Sequence, residues 1–571
     1  MELRMDRDGE QKGWFDFSWI VFWGVLSSIW CVTAASRLGA TFDEPHYLRS
    51  GLEGWRTGSY RGLLRGGAMP LPTDVELLPV YVWEQFRAKP FDVAEDCDAI
   101  LPVARAGNLV FWWLLLYFGW RLGRRFGGPW AGRLAAVLIA CEPNCLAHAS
   151  LATHDIAACA CLAMFVEFYL AGRNADWRHR VGLPALAFGL TLLAKASALA
   201  FGPIVMIAVE VHRLWTKPSA AKPAAGGLLG WIGRIWRETA PARKDFWGVF
   251  LLGMLFAFIY CGCDWRRERT FIEWASALPS GLPGDIMRFV SQNLCIFPNA
   301  GNGLIYQIQH NFRGHGVYIL GDWFPRAVWY YFPVALVIKL SIPVLLLIVF
   351  ALGSRPRSYA GPFGLLVLTL FVFTLNCRVQ IGIRLILPFV TLLMVWLAVV
   401  VTKASEALMP ESRRRVTFAA VCLLLVIPAF AVWPHGLSYA NRFWGGPRET
   451  HRYLSDSNSD WGQGLKDLSE WEARHGSPPM KIWYFGADPA IRKRSGNLAL
   501  HSVPLATEED FIRQVRGSYL AVGATILDGQ PSPTPSATVA LTALKRRKPV
   551  ARTMTFFIFD FTEPALAARA P

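Results

Sequence analysis

The chain has 571 residues, 53% of them hydrophobic, with a net charge of +16 and a mean hydropathy of +0.30. That length is too great for one ordinary soluble domain, and the repeated apolar runs point to an integral membrane protein. Much of the positive charge sits in short loops between those runs, which argues against a nucleic-acid partner.

A bilayer core of about 30 Å takes about 20 apolar residues per helix. The first run, 15–35, follows Arg4, Arg7 and Lys12. Its small residues "CVTAAS" suit a signal-peptide cleavage site, but the run is longer than an ordinary signal core and reads as an uncleaved anchor. Ten further runs follow, at 104–122, 128–141, 152–171, 181–194, 197–214, 246–262, 327–350, 359–376, 381–402 and 415–433. The expected fold is a polytopic α-helical membrane protein of about eleven spans. The runs 128–141 and 181–194 are short and suit half-helices or tilted spans. The 11 cysteines are scattered without a zinc-like spacing and imply no disulfide framework.

Loop charge sets the orientation. With the N-terminus inside, the inner loops hold Arg121, Arg124 and Arg125, then Arg173, Arg178 and Arg180. Next come Arg213, Lys217, Lys222, Arg234, Arg237, Arg243 and Lys244, then Arg355 and Arg357, and finally Lys403, Arg413, Arg414 and Arg415. The outer connection 142–151 holds none. Positive inner loops place the N-terminus in the cytoplasm and the C-terminus outside.

Residues 1–433 then form the membrane domain, with large outer loops at 36–103 and 263–326 that carry surface helices. Residues 434–571 form a small outer α/β domain. "KPSAAKPAAGG" (217–227) reads as an inner flexible linker. In the tail, "DWGQGLKDLSEWEARHG" (460–476) reads as a helix capped by Asp460, with Leu465, Leu468 and Trp471 on one face. "KIWYFGA" (481–487), "SYLAVGATIL" (518–527) and "TMTFFIFDF" (553–561) read as strands.

The chemistry-bearing residues gather on the outer side of this topology. Asp43 and Glu44 precede Pro45, a favoured first helical residue, so an acidic cap explains them. A carboxylate at the membrane boundary can equally take a proton from an acceptor. Asp155 opens the fourth span, where capping beside Ser150 and Thr153 competes with a role as base or metal ligand. Lys195 and Arg384 interrupt apolar runs at the outer mouths of their spans, and Lys339 lies deeper. Such charges either snorkel to the interface or hold an anionic head group. Asp43, His46, Asp155 and His315 are candidate ligands for a divalent metal, without a diagnostic spacing.

"TFDEPHYLRSGLEGWRTGSY" (41–60) resembles the first outer loop of the C-type membrane glycosyltransferases. The branch it looks most like holds the protein O-mannosyltransferases and lipid A aminoarabinose transferases (glycosyltransferase family 39). "LATHDIAACACLAMFVEFYL" (151–170) is similar to the second acidic motif of that family. "GLTLLAKASAL", "WYYFPVALVIKLSIP", "IGIRLILPF" and "DSNSDWGQGLKDL" look like further family segments, in order along the chain to about residue 490. The stretch "AMPLPTDVELLP" (68–79) departs from the compact "HPPL"-like segment of many relatives.

The resemblance implies a polyprenyl-phosphate-linked sugar donor, a protein, lipid or glycan acceptor, and inverting transfer at the periplasmic face of a bacterial inner membrane. It implies that Asp43 is the general base, that Glu44 orients the acceptor or positions the donor, and that Asp155 supports the site, with a divalent metal as one route. It assigns Lys195 and Arg384 to the donor phosphate. A transporter or flippase of a lipid-linked anion, with Lys195, Lys339 and Arg384 lining a path, is the rival reading. That rival predicts repeat symmetry, and the sequence has no internal repeat.

Overall fold

The computed structural model describes residues 2–562, apart from 217–232, 234–235, 263–266, 268, 296–297, 355–360, 495, 499–504 and 530–533. The linker 217–227 and the inner-loop residues Lys217, Lys222, Arg234, Arg355 and Arg357 lie outside the described residues.

Helix α1 (Glu2–Arg37) is followed by α2 (Glu44–Thr57), α3 (Arg61–Arg65), α4 (Pro70–Glu84) and α5 (Val93–Gly107). Then come α6 (Leu109–Cys141), α7 (Pro143–Ala149), α8 (His154–Gly172), α9 (Leu183–Ala194), α10 (Ala198–Trp215) and α11 (Ala240–Cys261). The second large loop carries α12 (Arg269–Ser276), α13 (Leu282–Asn293), α14 (Pro298–Arg313) and a hairpin, β1 (Val317–Ile319) and β2 (Asp322–Phe324). Apolar helices resume with α15 (Tyr331–Lys339), α16 (Ile342–Ser354), α17 (Pro362–Thr374), α18 (Leu387–Leu408) and α19 (Glu411–Val432).

Among the described residues, seven helices are long and apolar enough to cross a membrane, or eight if α15 and α16, bent by 118° to each other, count as one span. The larger count expected from sequence has two sources. Helices α9 and α17 are apolar but only 12 and 13 residues long. The expected spans 104–122 and 128–141 both fall within one 49-residue helical stretch, Val93–Cys141. That stretch breaks at Gly128, whose φ of 78° and ψ of −174° are not helical. The two arms of α6 then run back along each other. A Cβ on Gly123 would sit 2.8 Å from the Ala131 carbonyl oxygen, and one on Gly132 would sit 2.8 Å from that of Trp120. Small residues thus let the arms touch at the backbone, and Gly128 supplies the positive φ of the turn. Helices α8 and α18 pack against this hairpin and are buried nearly all round.

The tail contains α20 (Leu465–Arg474), β3 (Met480–Trp483), α21 (Glu508–Val515), β4 (Tyr519–Gly523), α22 (Ala524–Asp528), α23 (Pro535–Lys545), β5 (Ala551–Arg552) and β6 (Phe556–Asp560). The sheet order is β3-β4-β6-β5, with β3 and β4 parallel and the other pairs antiparallel. Alternation along β6 explains its two buried faces. Phe557 and Phe559 join Leu520, Val522, Phe511 and Leu544 in one apolar layer. Phe556 and Ile558 join Leu465, Leu468 and Ile482 in the other. Helix α20 starts at Leu465, not at Asp460. Asp460 does not cap it: its carboxylate accepts from the backbone N–H of Gly462 (3.1 Å) and of Thr525 (3.2 Å). The reason is local, since Gly462 adopts φ +92° and bends the chain before the helix begins.

Candidate functional site

The first loop is fixed by a buried ion pair. Glu44 opens α2, and its carboxylate takes Arg105 of α5 in a fork, Nε to Oε1 at 2.8 Å and Nη2 to Oε2 at 2.7 Å. The side chains are 1% and 0% exposed. Glu44 also accepts from the backbone N–H of Ala152 (2.8 Å) and of Thr41 (2.8 Å), and from the Thr41 hydroxyl (3.0 Å). Arg105 donates further to the carbonyls of Ala35, Leu38 and Gly39. Burial alone would raise the Glu44 carboxyl, but the charge and bonds of Arg105, with the two backbone donors, hold it below the usual range. Every lone pair of this carboxylate is taken within the protein. Glu44 thus bridges α1, α2, α5 and the turn before α8 as a strut, with Asp43 beside it.

Asp43 faces the other way. Its Oδ2 accepts from Arg384 Nη1 at 3.1 Å, with the side chains 26% and 12% exposed respectively. The Tyr47 hydroxyl, one helical turn on, lies 3.5 Å from the same oxygen. Burial, reinforced by Asp43, pushes the Tyr47 phenol well above its ordinary value, so it remains a donor. Arg384 sits in a short 3-10 turn, Ile383–Ile386, ahead of α18. Its guanidinium carbon lies over the ring of Trp461 of the tail, 4.1 Å from the centroid, and its enclosed Nε has no acceptor.

Asp155 lies in the first turn of α8, where the helix dipole favours an anion. It accepts from Lys195 Nζ at 2.6 Å. Lys195 is the residue that ends α9, its backbone extended at φ −159° and ψ 132°. Thr153 is the N-cap of α8 but makes no side-chain cap bond; its hydroxyl instead lies 3.4 Å from Asp155 Oδ2. His148 Nδ1 is 3.5 Å from that same oxygen. Burial brings the His148 imidazole down to about 4 despite the pull of Asp155, so it is neutral near pH 7.

The two carboxylate–cation pairs are neighbours, each with a partly exposed member, Asp43 at 26% and Lys195 at 21%, and the space they face is the candidate cleft. The Arg384 charge interacts with both Asp43 and Asp155, and the Tyr47 ring packs edge-on to His154, the neighbour of Asp155, at 4.3 Å. All four side chains sit at the same end of the bundle. Two further acids border them. Asp456, pushed up to about 6 by burial against the opposing pull of Arg384, comes from the tail. Glu76 of α4 is 1% exposed, with one enclosed oxygen that has no partner. Burial, then the charges of Glu44 and Asp155, hold its carboxyl well above the usual range.

Two sequence expectations lie elsewhere. Lys339 is fully buried, and its Nζ donates to the carbonyls of Leu437 and Asn458, both at 2.7 Å. It is anchored in the protein interior and is not part of the cleft wall, because carbonyls released by the 3-10 turns of the tail satisfy its charge. His46 turns toward Gly66, where a Cβ would meet its Nε2 at 3.0 Å. No group of three His, Cys, Asp or Glu suited to a metal occurs among the described residues. Asp43 and Asp155 are each paired with a cationic side chain, Arg384 and Lys195 respectively.

Sequence reasoning missed Arg105, His148, Trp461, Asp456 and Glu76. Arg105 and Glu76 carried a signal, each being a charge in an otherwise apolar helical pattern. Trp461 carried none beyond its place in the "DWGQG" stretch.

No protein-family model and no curated protein sequence matches the chain. Solved structures do. ArnT from Cupriavidus metallidurans bound to undecaprenyl phosphate is 15% identical, over 95% of this chain and 97% of that one, with a TM-score of 0.45. The apo form of the same protein gives 14% over the same shares and a TM-score of 0.46. The archaeal oligosaccharyltransferase AglB from Archaeoglobus fulgidus, in complex with an inhibitory peptide and a dolichol-phosphate, gives 12%. It covers 95% of this chain and 74% of that one, with a TM-score of 0.45.

Proposed function

We propose that the chain is a membrane glycosyltransferase that moves a sugar from a polyprenyl-phosphate donor to an acceptor at the outer face of the membrane, with inversion. The observation that carries this reading is the pairing of two carboxylates with two cations in one partly open cleft: Asp43 with Arg384 at 3.1 Å and Asp155 with Lys195 at 2.6 Å. The loop charges support an outer location for this end, with residues 1–433 as the membrane domain and 434–571 as the outer domain.

In this mechanism the acceptor oxygen or nitrogen attacks the anomeric carbon from the face opposite the phosphate. The bond from that carbon to the phosphate oxygen breaks, and polyprenyl phosphate leaves with the electron pair. Asp43 takes the acceptor proton. Arg384 and Lys195 lie where the phosphate gains charge, and fixed cations there lower the barrier. Arg384 is bound to Asp43 before donor arrives; an incoming phosphate competes for the guanidinium and frees the base. Asp155 holds Lys195 and stays ionised at the helix N-terminus. Tyr47 and His148 remain neutral and orient the two carboxylates. The sugar and the acceptor are set by walls that include the half-buried Asp456.

The test is purified protein with undecaprenyl-phosphate-linked sugars, scored for release of free undecaprenyl phosphate. Asp43→Asn at equal expression abolishes release on this reading, by a factor of roughly 100 or more for loss of a positioned base. Unchanged turnover in that variant removes the base assignment. Movement of labelled donor across vesicles without cleavage establishes the transporter instead.

A further inference from the structure

The far end of the bundle holds a second basic recess that plays no part in the chemistry above. It is lined by Tyr117, Trp120, Arg121, Arg124, Arg125 and Glu167, with a volume of about 540 Å³. Asp155 and Glu167 are both on α8, twelve residues apart. At 1.5 Å per residue that is about 18 Å along the axis, so the recess and the cleft face opposite sides of the membrane domain. We propose that this recess binds the head group of an anionic membrane phospholipid.

Charge counting comes first. Glu167 holds two guanidiniums at once. Arg125 forks onto it, Nε to Oε2 at 2.9 Å and Nη2 to Oε1 at 2.7 Å. Arg121 reaches Oε1 through Nε at 3.2 Å and Nη2 at 3.0 Å. Arg124 Nη1 shares Asp16 with Arg133, at 3.2 Å and 2.7 Å respectively. Four arginines therefore face two carboxylates, an excess of two positive charges. The carboxylates fix the arginine geometry without neutralising it, which is what a phosphate site needs.

Donors and surroundings fit the same ligand. The recess-lining arginines stay 34% to 47% exposed. Arg124 bonds its carboxylate through one nitrogen, and the enclosed Trp120 indole N–H has no acceptor. Tyr117 and Trp120 lie under the Arg121 and Arg124 guanidiniums, 5.8 Å and 5.3 Å from the ring centroids. The rings belong to a stretch long and apolar enough to cross a membrane, and amphipathic aromatics collect where such stretches meet head groups. A recess opening at that level is reached by a phosphate carried on acyl chains. Anionic lipids are attracted to such basic clusters, by about a five-fold gain in affinity per arginine.

The experiment uses the full chain in neutral detergent, titrated with dioctanoyl phosphatidylglycerol and read by native mass spectrometry. Dioctanoyl phosphatidylcholine and inorganic phosphate are the comparison probes. The wild type should bind phosphatidylglycerol at least about five-fold tighter than either. Arg124→Gln, which leaves Asp16 its bond from Arg133, should weaken that binding about five-fold with the lipid-free melting temperature unchanged. If that variant melts early, Arg125→Gln is the second probe, since Arg121 still holds Glu167. Arg384→Ala, at the opposite end, should leave phosphatidylglycerol binding unaltered. Equal binding of phosphatidylcholine, full competition by inorganic phosphate at matched ionic strength, or an equal loss in Arg384→Ala each overturns the proposal.

Discussion

Replacing Glu44 by glutamine separates a structural carboxylate from a catalytic one. The change keeps shape but removes charge, and it leaves Arg105 buried at 1% exposure without a counter-ion. One oxygen remains where two accepted five bonds, from Arg105 twice, Thr41 twice and Ala152. Removing one partner of a buried pair costs about 3–5 kcal/mol. The reciprocal change, Arg105→Met, should cost at least as much, because the carbonyls of Ala35, Leu38 and Gly39 also lose a donor. The double variant should fall short of the sum of the two, since neither residue is then left charged and alone. The assay is unfolding in mixed micelles of rising SDS fraction, followed by tryptophan fluorescence.

The pH dependence follows from the same geometry. Burial raises the Glu44 carboxyl, but Arg105 and the backbone donors outweigh it, and the folded value is depressed. This pair's contribution is therefore fully present above the unfolded value of about 4.3 and is lost as pH falls through the lower folded value. Glu44→Gln lacks that acid limb. If the variant unfolds at the same SDS fraction as the wild type while turnover disappears, Glu44 reacts with substrate and the strut assignment is wrong.

Three further outcomes are expected. Lys339→Met should destabilise by roughly 1–3 kcal/mol through two orphaned carbonyls, with the dissociation constant for undecaprenyl phosphate unchanged; a weaker lipid affinity at full stability puts Lys339 back in the phosphate site. Trp461→Ala should raise the donor KM several-fold by removing the face under Arg384, worth about 0.5–2 kcal/mol, while Trp461→Phe retains most of the affinity; equal losses in the two variants exclude the stacking role. Burial pushes Asp460 up to about 7, so its unfolded form releases a proton first and the tail loses stability as pH rises from about 4 to 7. Asp460→Asn should flatten that slope in hydrogen exchange at 519–525, and an unchanged slope assigns it to another group.

The parts of the site that sequence revealed share one feature: each is a charge placed against an apolar run. Asp43, Asp155, Lys195 and Arg384 stand out because hydrocarbon tolerates such groups only with a partner, and the structure gives each of them one. At Lys339 the same rule admits a second kind of partner, because a buried ammonium can be satisfied by backbone carbonyls as well as by phosphate. Glu44 and Asp43 look alike in sequence, yet the strut is recognisable only once Arg105, 61 residues away, closes on it. The count of long apolar helices differs from the count of apolar runs for a different reason. Hydropathy registers apolar length, whereas the hairpin at Gly128 and the 118° bend between α15 and α16 are backbone events. Each of the three expected tail strands contains a strand, but the run 518–527 turns helical from Ala524, and the start of α20 was not legible, because an aspartate before a helix resembles a cap whether or not it bonds there.

The tail explains how residues on separate spans keep a common geometry. Segment 457–463 touches each side of the cleft through its own backbone or short side chains. Phe42 N–H donates to the Trp461 carbonyl at 2.8 Å and Gly39 N–H to that of Gln463 at 2.9 Å, which sets the turn carrying Asp43. Ile383 N–H donates to Asn458 Oδ1 at 3.0 Å, and the Ser457 hydroxyl donates to the Ile381 carbonyl at 2.7 Å, which sets the turn carrying Arg384. Lys339 reaches the Asn458 carbonyl from a third direction. A base and a cation at 3.1 Å need their backbones fixed to a fraction of that distance, and membrane spans that tilt independently do not supply such precision. One short segment bonded to both turns does. Lys339 therefore ties α15 to the same segment without facing the reactants, and its place deep in an apolar run lets it reach those two carbonyls.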